Sequence, residues 1–508
     1  MKDPRGNDSD PSSYDVLVVG AGGAGLSAAI AAAEAGARVV ILEKAERPGG
    51  TTSLSVGSIT AAGTALQARA GIADTADAHY EDMDLLPGQS ADRDQPALRR
   101  VLVDEVGATV DWLESLGVVF VGPFSEAPHR LPRMHVALPN SRTFAFHLEK
   151  RCRELGIPIL CRVAVESLVF ENGAVAGLVA RTHGADDGAV RSFSAGSVIL
   201  ATGDYSAAGD LKQRFLPTMV DIDPINPLST GDGHRMALGH GAFVRNGDLA
   251  AGPKFRFKPP RGGFMADIPP NRWLARAMRF AFQHLPAWLL RPFLLPTLTS
   301  YLAPEPALFA AGAILVNRNG ARFTDELRAP AADLPRQPGK EGYIVLDERL
   351  ARQFDRWPYF VSTAPGIAYA YLKDYERIRR DVHASAPSAE ALGQRLGMPA
   401  GALARTIEAH NGELRLTGGS SQPLTEGPFH ALGPLYSWVV VTQGGLAVDA
   451  QHRVIREDGS AIPGLYAAGT AGLGGLYVAG HGHYLGWAFT SGRRAGKHAA
   501  GRHARPGH

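Results

Sequence analysis

Apolar and polar positions change period several times along this chain, and each change predicts an element. Asp15 to Val19 (DVLVV) is a short β-branched apolar run, the pattern of a buried parallel strand, and Arg38 to Leu42 (RVVIL), ending on Glu43, predicts a second. Between them the Ala-rich LSAAIAAAEAG predicts a helix closed by Gly36 in the C-cap position. From Asp77 to Glu114, apolar residues such as Leu98, Val101, Leu102 and Val106 recur at helical spacing. Ile157 to Leu200 shifts to strand-like runs broken by a turn at Glu171-Asn172-Gly173 and a loop at 183–189, predicting an antiparallel β excursion. Val118 to Asn140 is Pro-rich and predicts a loop carrying His129, Arg130, Arg133 and His135. The Pro- and charge-rich segment 328–341 predicts a surface loop, and Trp487 to Ala500 predicts a terminal helix.

The first strand runs into Gly20-Ala21-Gly22-Gly23-Ala24-Gly25, a G-x-G-x-x-G that opens the Ala-rich helix. The spacing has a physical reason: Gly20 permits the tight turn, Gly22 lets backbone approach a pyrophosphate, and Gly25 lets helix and strand pack closely. The helix N-terminus offers free N–H groups and partial positive charge to that pyrophosphate. Glu43 ends the next strand, where a carboxylate can accept hydrogen bonds from a ribose. A second Gly- and hydroxyl-rich turn follows at once, RPGGTTSLSVGS at 47–58. A nicotinamide domain has no need of it, whereas a flavin reaching back across the sheet needs further donors for its second phosphate and ribityl chain.

These residues resemble the flavoprotein superfamily of fumarate reductase, succinate dehydrogenase and the 3-ketosteroid dehydrogenases. The likeness rests on Glu43-Lys44 followed by Gly49-Gly50-Thr51-Thr52-Ser53, on Ala201-Thr202-Gly203, on Thr230-Gly231-Asp232-Gly233, and on Gly464-Leu465-Tyr466-Ala467-Ala468-Gly469. It implies an α/β fold: a Rossmann-like, glutathione-reductase-type FAD-binding domain with an inserted α+β capping domain. The expected division is a disordered lead-in at 1–13, a discontinuous FAD domain at 14–249 plus 436–508, and a capping domain at 250–435. It implies noncovalent FAD, because no His falls in GGTTSLSVGS, held at Gly20, Gly22, Ala24, Gly25, Glu43, Lys44, Gly49, Gly50, Thr51, Thr52, Ser53, Gly57, Val165, Ala201, Thr202, Gly203, Asp232, Gly469, Thr470, Tyr484 and Leu485.

For the chemistry, the Arg with which fumarate reductases clamp a substrate carboxylate falls on Ala479, and Asp248 to Phe255 lacks their Q-x-H-P-T. Tyr477-Val478-Ala479-Gly480, with Leu485-Gly486 and Gly492-Arg493-Arg494-Ala495-Gly496, is instead similar to the Δ4-(5α)-ketosteroid dehydrogenases. The resemblance implies α,β-desaturation of a ring ketone, Tyr477 hydrogen-bonding the ketone and the Gly482 N–H completing an oxyanion site. The base stays open among Tyr369, Tyr371, Tyr484, His481 and Arg328; the last keeps the reverse reaction, enone or enoate reduction, as the alternative. A binding protein without flavin is the remote third reading. The expected partners are an apolar cyclic ketone or enone and an external, quinone-like electron acceptor.

Composition narrows little further. The 508 residues suffice for two domains, and a net charge of +2 favours neither nucleic acid nor an anionic membrane in bulk. Cys152 and Cys161 form no C-x-x-C, no metal is expected, and two thiols in so long a chain suit a reducing cytoplasm. The N-terminus has no apolar h-region. Trp288 to Leu302 is strongly apolar, but Arg291, Pro292 and Pro296 interrupt it and it falls short of the roughly 20 residues that span a bilayer. It is expected to form irregular cap helices, or a greasy rim through which an apolar substrate enters and which touches a membrane.

Overall fold

A computed structural model of the chain describes residues 12–88, 92–183, 188–258, 268–301, 303–364, 368–417 and 422–502. Most of the expected lead-in, residues 1–11, lies outside these; Ser12 and Ser13 lie beside Ser194 as a short β contact.

The apolar runs assemble into one six-stranded sheet, in the order Arg453–Ile455, Ala461–Ala467, Ser197–Leu200, Val16–Val19, Val39–Glu43 and Ile159–Cys161. All neighbours are parallel except the first pair. Strands buried on both faces need apolar residues throughout, and Val16–Val19 and Ser197–Leu200 are buried at every position. Helices Gly23–Glu34 and His483–Gly501 cross closely on this sheet. A Cβ at Gly492 would lie 2.2 Å from the Ala24 carbonyl oxygen, and one at Gly496 would lie 2.1 Å from that of Ala28. Only small residues permit that approach. The β excursion is a three-stranded antiparallel sheet of Val163–Glu171, Ala174–Thr182 and Val190–Ser194, as its pattern predicts.

A second sheet is built around the long strand Phe429–Val439, which pairs with Asp223–Pro224, Lys254–Phe257, Glu341–Leu346 and His383–Ala386. Its apolar core draws only on residues between Phe255 and Leu435, whereas the first core joins residues 16–242 to residues 446–500.

Three expectations change. The Pro-rich stretch after Val118 is largely sheet: Val119–Phe124 pairs with Met134–Leu138, which pairs with Ser58–Thr60. In segment 328–341, short helical turns bury Leu334 and Pro335, so it is packed rather than a free surface loop. Ala287–Tyr301 is a helix despite Pro292 and Pro296, and it turns Leu295 and Leu298 into the second core. Much of its apolar character serves packing, while Leu289 near its start and Trp273, Leu274 and Phe280 on the preceding helix are exposed.

Candidate functional site

A cavity of about 650 Å³ runs along the C-terminal ends of Val16–Val19 and Val39–Glu43 and on toward the second sheet. Its first part is backbone. Gly20 adopts φ +100°, where a Cβ would lie 2.5 Å from the Ala201 carbonyl oxygen. Gly22 caps helix Gly23–Glu34, and a Cβ there would meet nothing within 4 Å, so this face is open space beside the helix N-terminus. Glu43 is nearly buried; its carboxylate accepts from Ala21 N (2.6 Å) and Ala45 N (2.8 Å), which aims it at the same space. Lys44 Nζ donates to Asp232 Oδ2 at 2.7 Å and to Thr230, so two separate motifs meet across the cavity.

The hydroxyl-rich turn closes the next part. Gly23 N donates to Thr52 Oγ1 (3.0 Å), and Asn226 Nδ2 donates to Thr51 Oγ1 (2.8 Å). Beyond it Gly482, at φ +77°, starts helix His483–Gly501 and brings His481 and Tyr484 to the cavity. Two buried hydroxyls on the wall, Thr202 Oγ1 and the Tyr484 phenol, have no partner among the described residues. Orphaned buried donors are costly. Open backbone at Gly22, a fixed carboxylate at Glu43 and unpaired hydroxyls deeper in are what a flavin dinucleotide with a polar ring edge would complete.

Of the expected site residues, Gly20, Gly22, Ala24, Glu43, Lys44, Gly50, Thr51, Thr52, Ser53, Val165, Ala201, Thr202, Gly203, Asp232, Gly469, Thr470, His481, Gly482, Tyr484 and Leu485 line this cavity. Gly25, Gly49 and Gly57 do not. Gly25 is packed against Gly20, where a Cβ would lie 1.9 Å from its carbonyl oxygen, while Gly49 and Gly57 serve turns at φ +133° and +82°.

The expected chemistry moves further. Tyr477 does not line the cavity: its hydroxyl donates to the Pro87 carbonyl at 2.6 Å. Tyr369 packs its ring on Trp357 and Phe360, and only its neighbour Ala368 faces the cavity. The Tyr371 ring lies beside the Arg291 guanidinium, off the cavity wall. Arg328 is solvent-exposed and paired with Asp325. His481 does line the cavity and shares a hydrogen bond with Glu126.

Alternation on two strands brings in residues that motif matching passed over. On Met134–Leu138, Met134 and Val136 face the cavity while buried His135 turns away to Thr64 Oγ1 (2.9 Å). Arg133 is buried with Asp74 and Asp82, and Arg130 also pairs with Asp82. On Lys254–Phe257, Phe255 and Phe257 enter the core while Lys254 and Arg256 line the cavity. The Lys254 side chain keeps an exposed surface; partial desolvation, with the Arg256 charge beside it, lowers its pKa against the opposing charge of Glu126, and Lys254 pairs with none of the described residues. The signal was legible: K-F-R-F is a period-2 alternation.

The fold also gathers His79, His129 and His483, scattered in sequence, within 4.8 Å of one another. Arg133 stands 3.3 Å from His129 Nδ1, and burial lowers the pKa of all three, so the group reads as packed neutral imidazoles beside a guanidinium.

The description "FAD binding domain" applies to the family model that matches residues 15–254 and 275–482. The chain belongs to this family, and FAD is its cofactor. It is 28% identical to the NADH:fumarate oxidoreductase of Klebsiella pneumoniae over 93% of its own length, but spans 46%, about half, of that protein. It is 26% identical to the 4-oxocyclohexanecarboxylate 2-dehydrogenase of Sinomonas cyclohexanicum, covering 97% of this chain and 94% of the other. Among solved structures, a flavocytochrome c3 fumarate reductase is similar at TM-score 0.72 and 25% identity, over 97% of this chain and 79% of that one. The 3-ketosteroid-Δ4-(5α)-dehydrogenase of Rhodococcus jostii RHA1 shares the fold at TM-score 0.60 and 22% identity, over 98% and 99%. This is a flavin-dependent oxidoreductase of C=C bonds, the class to which these relatives belong.

Proposed function

We propose that this chain dehydrogenates a ring ketone next to its carbonyl, and that the ring carries an acidic substituent. The observation that carries this reading is the cavity wall beyond the dinucleotide cradle. Met134, Val136, Leu294 and Leu298 make it apolar, Ala479 stands where a dicarboxylate clamp would need a cation, and Lys254 and Arg256 share one strand face. The name of the Sinomonas relative joins a ring ketone to a carboxylate, which fits an apolar wall with a cationic strip.

In this reading the Gly20–Ala24 turn holds the pyrophosphate, Glu43 the ribose, and Thr202 the flavin end. A flavin held there would supply the hydride acceptor for the β carbon. Breaking the α C–H bond develops negative charge on the carbonyl oxygen, so a fixed donor there lowers the barrier. Tyr484 takes the role expected of Tyr477, with helix N–H groups beyond Gly482 beside it. Lys254 is the proposed base: its lowered pKa enlarges the neutral amine fraction that can take the α proton. Arg256 holds the acidic substituent. The electron pair then passes to an external acceptor, for which a quinone is the proposed class.

The same residues run backwards would reduce an enone or enoate, with the Lys254 ammonium as proton donor. Two cations on one wall favour that as the second reading.

The test is anaerobic titration of the oxidised enzyme with 4-oxocyclohexanecarboxylate, cyclohexanone, a saturated 3-ketosteroid and succinate. Bleaching of the yellow band by the acidic ring ketone is expected, faster at higher pH and slowed in Lys254→Met. If no ketone bleaches it, while an enoate reoxidises the prereduced enzyme, the dehydrogenase reading is wrong and reduction replaces it.

A further inference from the structure

Helix Arg272–His284 has two apolar faces, and folding explains only one. Ala275, Met278 and Phe282 pack on Val119, Val121 and Leu138 of the small sheet. Opposite them, Trp273 is 74% exposed and Phe280 is 64% exposed, one turn either side of Arg276. Leu274 on the helix, and Leu285 and Leu289 just beyond it, are exposed as well. The Arg276 guanidinium lies over the Trp273 ring at 5.3 Å. Arg272 and Arg276 form no ion pair with described residues, while Arg279 reaches Glu114 at 3.7 Å. From Ile268 to Pro304 the chain contains Arg272, Arg276, Arg279, His284 and Arg291 and no Asp or Glu.

A soluble surface helix ordinarily turns charge of both signs to water. Exposed indole and phenyl rings flanked by arginines, on an acid-free segment, are the composition of a helix lying at a bilayer surface: the rings enter the acyl boundary and the guanidinium groups meet phosphates. We propose that this helix docks the enzyme onto an anionic lipid bilayer. The next helix, Ala287–Tyr301, sends Leu294 and Leu298 into the cavity wall, so the docked face leads by one helix to the site. An apolar electron acceptor dissolved in the bilayer then has a path in. The docking itself depends on the helix surface alone and is independent of which substrate is turned over.

The experiment is sedimentation of the holoenzyme with vesicles of phosphatidylcholine alone and of phosphatidylcholine mixed with phosphatidylglycerol, at low and high salt. Binding to the anionic vesicles is expected, weakened by salt. The double variant Trp273→Ser, Phe280→Ser should partition about tenfold less, and Arg272→Gln with Arg276→Gln should lose the preference for anionic lipid, both keeping the flavin band of the parent. Equal binding to neutral and anionic vesicles, no binding, or unchanged binding by the variants would overturn the proposal. So would light scattering showing a dimer that the double variant dissociates, which would make this face an interface between two copies.

Discussion

At the scale of single residues, the contrast between Tyr477 and Tyr484 is the most informative. Both lie in the last Gly-rich segment, and motif spacing favoured the first. The Tyr477 hydroxyl is spent on the Pro87 carbonyl, whereas the Tyr484 hydroxyl is buried on the cavity wall without a described partner. A donor aimed at developing charge is worth on the order of a hundredfold in rate, while a donor in a structural hydrogen bond is worth about 1 kcal/mol of stability. Tyr484→Phe should therefore keep FAD and slow flavin reduction by about a hundredfold. Tyr477→Phe should lower the unfolding free energy by about 1 kcal/mol and leave reduction nearly unchanged. Stopped-flow reduction and urea unfolding of both variants separate the roles, and reversed effects would restore Tyr477 to the chemistry. Sequence could nominate both tyrosines because both sit among glycines. It could not tell which hydroxyl already had an acceptor, since Pro87 is 390 residues away.

At the scale of elements, two periods did the work. Helical and strand patterning exposed the first sheet, the β excursion and the terminal helix. Where proline was dense the reading failed, because tertiary pairing overrode local breakers: Met134–Leu138 is the middle strand of three. The same alternation, once seen, sorts the site, with Met134 and Val136 facing in and His135 facing out. Close crossing of Gly23–Glu34 with His483–Gly501 gives a direct test of what holds the two flavin-facing helix starts together. Gly492→Val would drive a side chain into the Ala24 backbone, and overpacking of this kind costs about 3 kcal/mol. The variant should lose FAD on gel filtration and melt earlier. Lys497→Ala, one position beyond Gly496 but exposed, should change neither. Retention of FAD by Gly492→Val would mean that the helix crossing does not position the site.

At the scale of the whole molecule, burial of histidine sets an acid limit. Burial pushes His135 and His234 down to about 4, and His452 and His483 down to about 3. All four are neutral in the folded chain, while the unfolded chain protonates them near their ordinary 6.5. Between pH 6.5 and about 4 the unfolded state binds more protons, so stability falls as pH falls, by up to about 1.4 kcal/mol per pH unit for each histidine. Above pH 6.5 they contribute no slope. The melting temperature of the holoenzyme should be flat from pH 7 to 8 and drop steeply below 6. A flat profile down to pH 5 would show that these imidazoles are not held neutral. Among the described residues no helix is long and apolar enough to cross a membrane.

The proposed dinucleotide cradle was legible in sequence alone, because its requirements are local. A strand buried on both faces must be apolar, a backbone that approaches a phosphate must be glycine, and a helix must start where the phosphate sits. Each of these is written in consecutive residues from Asp15 to Glu43. Only the tertiary structure decided which tyrosine faces the cavity, that Lys254 and Arg256 enter it, and that Trp273 and Phe280 face outward. Those outcomes depend on the direction of a side chain relative to elements hundreds of residues away, and on whether its polar atoms have already found partners there.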